Sequence, residues 1–460
     1  MAKSYLYIMD TPRAGSTLGS VAAGSARRSS VSTLHPLLYW ITIAFIVGAP
    51  NFLTFDATGR THDFGLFNAT SLSRIALTLT TGYVLIVNFM LARGRITRWR
   101  GGVSLAPWLA LASLYFLASL VQPQGMLIPA KSTDLPLSLF RLGEWVLGFL
   151  LLMRLVAYEP LARRATFAAE IIGRVSWIVI VMVWVMLPLA PNLVFAGGDE
   201  GETVAALGGQ FYNSGALGFH AGCAFFASLL FTKKLHYKSA GCAISFVTLL
   251  LTRARTPLLA FGLALFCYAF LQYRKPAQRL TLGVLFSLFA SIGLFAGAPF
   301  STMLTRGATW STTASLDGRL PLWEACWAAI QLRPFLGYGF VIGAKNAIRD
   351  HWTATNWIPP HAHNDILQAM LQGGLLAAIL VMTIYIVTFK NAISQAKESP
   401  QQLFLLLVLV QLAVISTTGL VLSLTFDSLG ASFLLCHIAG RPRTTRPYRR
   451  QICQVTVSAL

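Results

Sequence analysis

Long runs of apolar residues, broken by short polar joints, recur along almost the whole chain. Within these runs apolar and polar positions do not alternate, as they would in the strands of a membrane barrel. A run of about 20 apolar residues suits one helix crossing the hydrocarbon of a bilayer. The pattern predicts twelve spans, at 35–53, 72–92, 103–122, 135–156, 171–190, 213–231, 239–252, 256–272, 280–299, 366–388, 402–420 and 422–439. The seventh and eighth are short and parted only by Arg253–Arg255, so they also fit one bent hairpin. Asp427 interrupts the twelfth.

One break, at 300–365, is much longer than the others. Inside it, 320–332 repeats apolar residues at helical spacing, with Leu322, Ala325, Cys326, Ala329 and Ile330 on one side. Asp317 ahead of Pro321 suits the start of that helix, and Pro334, Gly337 and Gly339 suit a tight turn after it. The expectation is a short amphipathic helix lying on the membrane surface. The fold class is therefore all-α and polytopic, with about twelve transmembrane helices and one large outer loop carrying short amphipathic helices.

Composition agrees with this class. The 460 residues are 55% hydrophobic and 11% charged, against a charged share of about 25% in soluble domains. The net charge of +20 invites a nucleic-acid reading, but its placement argues otherwise. With the N-terminus inside, 25 of the 36 Lys and Arg fall in cytoplasmic stretches, among them RGRITRWR at 93–100 and the tail after 440. The outer segment 191–212 has none and carries Asp199, Glu200 and Glu202. This is the positive-inside rule, and basic inner loops also suit anionic membrane lipids. No basic face with interleaved aromatics stands out, so no nucleic-acid partner is expected.

Residues 1–33 are Ser/Gly/Ala-rich and basic, which predicts a disordered cytoplasmic leader, with the first span as an uncleaved insertion signal. Residues 34–440 form one membrane domain without an internal repeat, and 441–460 a basic cytoplasmic tail. The six cysteines show no CxxC and no pair in one outer loop, so neither a disulfide framework nor a zinc site is expected.

Three places offer chemistry. TRARTPLLA sets Arg253 and Arg255 at the outer face, where positive charge is disfavoured. Arginines there anchor a helix end in the interface, or their rigid forks of donors grip phosphate oxygens. In DGRLPLW, Arg319 beside Gly318 either touches lipid headgroups or binds substrate. In PHAHND, His361 and His363 precede the tenth span. A histidine titrates near neutrality and can take a proton from a sugar hydroxyl. The alternatives are an N-cap by Asn364 or Asp365, and a metal site of His-x-His-x-Asp form, for which no third His or Glu stands near. Arg141 and Glu144, three apart, can pair on one helix face. Arg141 is a candidate for the substrate cavity, with His361 and Asn364. Arg74, His220 and Asp427 suit an internal ion pair or a helix end.

These segments together resemble the O-antigen ligase and polymerase superfamily. TRARTPLLA resembles its T-x-S-R-x-x-L-L-A stretch, with Arg255 at the family arginine and Arg253 where a small residue is usual. Gly318-Arg319, Trp323, Pro334 and Gly337-Tyr-Gly339 resemble G-R-x-x-x-W … P-x-x-G-x-G. His363-Asn364 with Gly373-Gly374 resembles H-N-x-x-L … G. The likeness is close over about 250–380.

The resemblance implies an enzyme of the bacterial inner membrane with its active site on the periplasmic side. It would move a glycan from undecaprenyl pyrophosphate, without metal or cofactor and with inversion. Arg255 and Arg319, with Arg253, would hold the pyrophosphate, and His363 would be the general base. The acceptor is the lipid A-core in a ligase and a lipid-linked glycan in a polymerase, and the motifs leave both open. A transporter of lipid-linked glycan is the rival from another class. It would show two related halves and substrate groups at mid-membrane.

Overall fold

A computed structural model describes residues 38–44, 46, 69–91, 106–121, 134–157, 159–196, 205–209, 211–273, 275–281, 319–353, 359–422 and 427–440. The leader, the tail, Asp317, Gly318 and nearly all of the ninth span lie outside them. The principal helices are α1 (Ala69–Leu91), α2 (Ala106–Leu120), α3 (Asp134–Ala157), α4 (Arg164–Leu189), α6 (Ser214–Phe231, following the single turn α5, Pro191–Val194), α7 (Leu235–Leu251) and α8 (Arg255–Gln272). There follow α9 (Arg319–Leu332), α10 (Ile342–His351), α11 (Asp365–Gln395), α12 (Pro400–Thr418) and α13 (Ser428–Ala439). Five of them, α4, α6, α8, α11 and α12, are long and apolar enough to cross a membrane. Their outward faces are greasy: Val181, Val185, Ile379, Met382 and Ile386 are exposed, as expected of a surface turned to lipid. Among the described residues the one departure from all-α is a small antiparallel ladder, β1 (Phe195–Ala196) with β2 (Ala206–Leu207), which the sequence did not announce.

The bundle is organised around α12, which packs on α4, α6, α8, α11 and α13. Every residue from Gln402 to Leu409 is buried, and a helix apolar all round belongs in an interior. The seventh and eighth spans form as two separate helices, as drawn, rather than as one bent hairpin. α7 lies against α6 and α8 against α12, joined by a turn at Thr252–Ala254 in which Arg253 takes φ 51.

Two expected spans are redrawn. The twelfth begins at Ser428, because Asp427 caps α13 by accepting from the Leu429 and Gly430 N–H groups at 3.0 and 2.8 Å. Its 12 residues reach only about 18 Å. The tenth, read as one span over 366–388, is two helices. Gly373 (φ −141, ψ 15) and Gly374 (φ 72, ψ −167) leave helical geometry. The Tyr385 hydroxyl donates to Asp365 at 2.8 Å, yet twenty residues of unbroken helix would part them by about 30 Å. The piece 365–372 therefore folds back beside the start of 375–395.

The fold-back is clasped by the turn after α9. Tyr338 N–H donates to the Leu371 carbonyl at 2.7 Å, Gly339 N–H to that of Gln372 at 3.1 Å, and Leu375 N–H to that of Pro334 at 2.7 Å. Gly337 (φ 65) leaves no room for a Cβ, which would stand 2.6 Å from the Leu371 carbonyl oxygen. Gly374 abuts the Phe335 carbonyl in the same way. The turn also bonds to α2, where Phe340 N–H donates to Ser119 Oγ at 2.9 Å.

The helix expected at 320–332 forms, and the five residues named for its apolar side are the five it buries. They face protein rather than lipid. Leu322, Cys326, Ala329 and Ile330 join Tyr338, Ala344, Ala347, Ile348, Ala362 and Leu371 in a second small core. α10, which the sequence reading missed, supplies part of it and is tied to the start of α3 by Asn346 Nδ2, donating to Asp134 at 2.9 Å.

Candidate functional site

The start of α8 and the histidine loop meet at the end of α12. Arg255 is the first residue of α8. Its neighbour Thr256 shares a hydrogen bond of 2.8 Å with Thr418 at the end of α12. The next residue back, Thr417, offers its carbonyl to Asn364 Nδ2 at 3.1 Å. Asn364 is the N-cap of α11 and accepts from the Ile366 and Leu367 N–H groups at 3.0 and 3.1 Å. The start of α8 and the histidine loop thus dock on successive residues of one helix end. The capping alternative raised for Asn364 is the one the structure takes, so its side chain is a structural clamp.

Asp365 is 1% exposed and holds the chain between α12 and α13. It accepts from Val421 N–H at 2.9 Å, from Leu422 N–H at 3.2 Å and from Tyr385. A carboxylate with several donors is well compensated for burial.

The histidine loop is gripped from two sides. Trp323, one turn on from Arg319, donates its indole N–H to the Ala362 carbonyl at 3.0 Å. Ala362 N–H donates to Gln368 Oε1 at 2.9 Å. Between these ties the His361 and His363 rings meet edge to face, 4.1 Å apart at their centroids and inclined by 62°. His363 takes φ 48, a left-handed conformation that a residue with a Cβ seldom holds. Nδ1 of His361 is buried and makes no hydrogen bond among the described residues.

Arg319 stands close enough to act on both rings. Burial above all, then the His361 ring and the Arg319 charge, push His363 down to about 2. Burial above all, with the Arg319 charge, pushes His361 down to about 4. Both imidazoles are therefore neutral at physiological pH, with a lone pair on one nitrogen of each. Among the described residues no three His, Cys, Asp or Glu side chains cluster as a metal would need.

Two further candidates, Arg141 and His220, are buried. The Arg141 guanidinium is paired to Glu144 at 2.9 Å, with both side chains buried, and Glu144 also accepts from Thr78 at 3.3 Å. That is the pairing on one helix face that the three-residue spacing suggested. His220 is fully buried between Ser176 Oγ at 3.1 Å and Ser428 Oγ at 2.9 Å. Asp427 is the helix end described above. The sequence reading missed Gln368, whose signal was a glutamine four residues past Asn364 at the mouth of a greasy run, and it gave no role to Trp323.

By its helices this is a multi-pass membrane protein, with the start of α8 and the histidine loop docked at one end of α12. Residues 240–382 match the family model described as O-antigen ligase, and that segment contains all three motifs. A protein of Rickettsia felis described as a putative polysaccharide ligase is 32% identical over 95 residues, 19% of this chain and 23% of that protein. The chain thus matches about a quarter of the length of this curated relative.

Proposed function

We propose that this protein is a metal-independent, inverting glycosyltransferase of the bacterial inner membrane, acting at its periplasmic face. In this reading it moves a glycan from undecaprenyl pyrophosphate to a sugar hydroxyl of lipid A-core, as an O-antigen ligase does. The observation that carries the reading is the neutral histidine pair under the field of Arg319, inside the segment that matches the O-antigen ligase family.

Arg255 and Arg319, assisted by Arg253, hold the diphosphate through bidentate contacts and stabilise the charge that builds on it as the glycosidic bond breaks. Nothing in that task needs a metal. His363 removes the proton of the acceptor hydroxyl, whose oxygen attacks the anomeric carbon from the side opposite the leaving diphosphate. The free imidazole is a weak base, because burial and Arg319 favour its neutral form. An anionic diphosphate seated on the arginines offsets that field and raises the basicity of His363 when donor is bound. His361, with its buried Nδ1, can take a hydrogen bond from a substrate hydroxyl.

The test is the full-length protein in nanodiscs, given undecaprenyl-pyrophosphate-linked glycan from the source strain and purified lipid A-core, with and without EDTA. Glycan joined to lipid A-core in both conditions supports the reading. Elongated lipid-linked glycan with untouched core makes the enzyme a polymerase. Movement of the lipid-linked glycan across the bilayer with no new bond makes it a transporter.

A further inference from the structure

We propose that Trp323 and Gln368 are positioning residues for His363, holding its imidazole in the one orientation that serves the transfer. The inference rests on the proposed role of His363 as base and adds what keeps it there. Ala362 is fully buried, so its backbone groups are out of reach of water and must find partners in the protein. Gln368 Oε1 takes its N–H at 2.9 Å and the Trp323 indole takes its carbonyl at 3.0 Å. Those two groups belong to the peptide planes on either side of Ala362, and the second plane leads directly into His363. Fixing that plane fixes the axis about which φ of His363 turns.

The left-handed φ of 48 at His363 is what makes the grip matter. A residue with a Cβ holds this conformation only where its surroundings over-determine it. With either tie removed, the buried peptide turns toward solvent, φ relaxes to a negative value and the ring swings away from its partner 4.1 Å off. The geometry explains the four-residue spacing from Arg319 to Trp323. Residues four apart lie on one helix face, so α9 delivers to the same loop both a charge that acts on the rings and the tether that holds them. Gln368, fully buried on 365–372, completes the hold from the opposite element.

The experiment compares Trp323→Phe, Gln368→Met and Gln368→Glu in full-length protein, assayed with undecaprenyl-pyrophosphate-linked glycan and lipid A-core from pH 5 to 8. Trp323→Phe loses the donor and keeps a ring. Gln368→Met loses the acceptor and keeps the length, whereas Gln368→Glu keeps an oxygen. Trp323→Phe and Gln368→Met should each lower kcat about 10- to 100-fold, with KM for the donor within about two-fold, and Gln368→Glu should recover most of the loss. Their acid limb should move up toward the ordinary histidine range near 6.5, because an imidazole released from burial protonates more easily. A role in folding alone would lower yield and leave the limb unmoved.

Unchanged kcat and an unmoved limb in folded Trp323→Phe and Gln368→Met overturn the proposal, provided that His363→Ala is inactive. Full activity in His363→Ala overturns the underlying role of the base instead. If Trp323→Phe does not accumulate, the Gln368→Met and Gln368→Glu pair carries the test alone.

Discussion

In α12 every residue from Gln402 to Leu409 is buried, whereas α9 buries five of its fourteen along one stripe. The first helix is held by being surrounded, and any apolar side chain of similar size will do at most of its positions. The second belongs to a cap with a small core of its own, placed on the bundle by directional bonds: the Trp323 and Gln368 ties, the Asn346–Asp134 bond, and the backbone clasp between 334–339 and 371–375. Directional bonds fix positions and tolerate little change. The candidate chemistry sits in the cap, where position matters, and the bundle serves as its footing.

The comparison breaks most plainly through the site itself. His363→Ala should lower glycan transfer by about 10² to 10⁴-fold, the range of general base catalysis, while a Leu407→Val change in the bundle leaves turnover per folded molecule near normal. Turnover of His363→Ala within a factor of three of wild type, in assays of purified protein, would remove histidine from the chemistry. Arg255→Lys should cost about 10²-fold or more, since a point charge cannot replace the fork; near-normal transfer would show that this arginine does not hold the diphosphate.

Gly374→Ala tests the clasp. It combines φ 72 with a Cβ pressed on the Phe335 carbonyl, and should cost about 1–3 kcal/mol in strain. The cap should then open to protease while α12 stays protected, as mapping of cleavage sites will show.

The mildest probe is pH. His361 and His363 have lower pKa values in the fold, about 4 and about 2, than the roughly 6.5 of an unfolded histidine. Between those values and 6.5 the unfolded chain takes up protons that the folded site refuses, so stability falls as pH drops below about 6.5 and is unaffected above it. Thermal unfolding at pH 7.5 and 5 should show the loss in wild type and a smaller one in a His361→Ala, His363→Ala double variant. Equal losses would mean that other groups set the acid response.

Hydropathy made most of the bundle legible, since a buried or lipid-facing helix needs little more than a long apolar run. The start of α9 and its five buried residues were also readable, because amphipathic spacing survives in a short helix. Hydropathy hid the break in α11. Two glycines in a greasy run look like ordinary small residues of a span, and only the positive φ of Gly374 and the bonds to Tyr338 and Gly339 reveal a reversal. α10 escaped because ten residues between two turns give a short periodic signal. At the site, residue types and spacing pointed to Arg255, Arg319 and His363. They could not disclose that Asn364 is a cap, that Arg141 is taken by Glu144, or that Trp323 and Gln368 hold the loop. Those facts depend on which partners the fold brings within reach.

The reversal at Gly373-Gly374 also sets a depth gauge. Once 365–374 is set aside, 21 residues of α11 remain, 375–395, about 31 Å of helix for a hydrocarbon slab of about 30 Å. Relative to the 366–388 read from hydropathy, the crossing starts nine residues later, at 375, and ends seven residues later, at 395. Lys390, exposed on the last turns, must stretch its stem to bring its ammonium to the headgroups. Because 365–372 folds back and Asp365 bonds to Tyr385, the histidine loop lies beside the crossing helix rather than beyond its start.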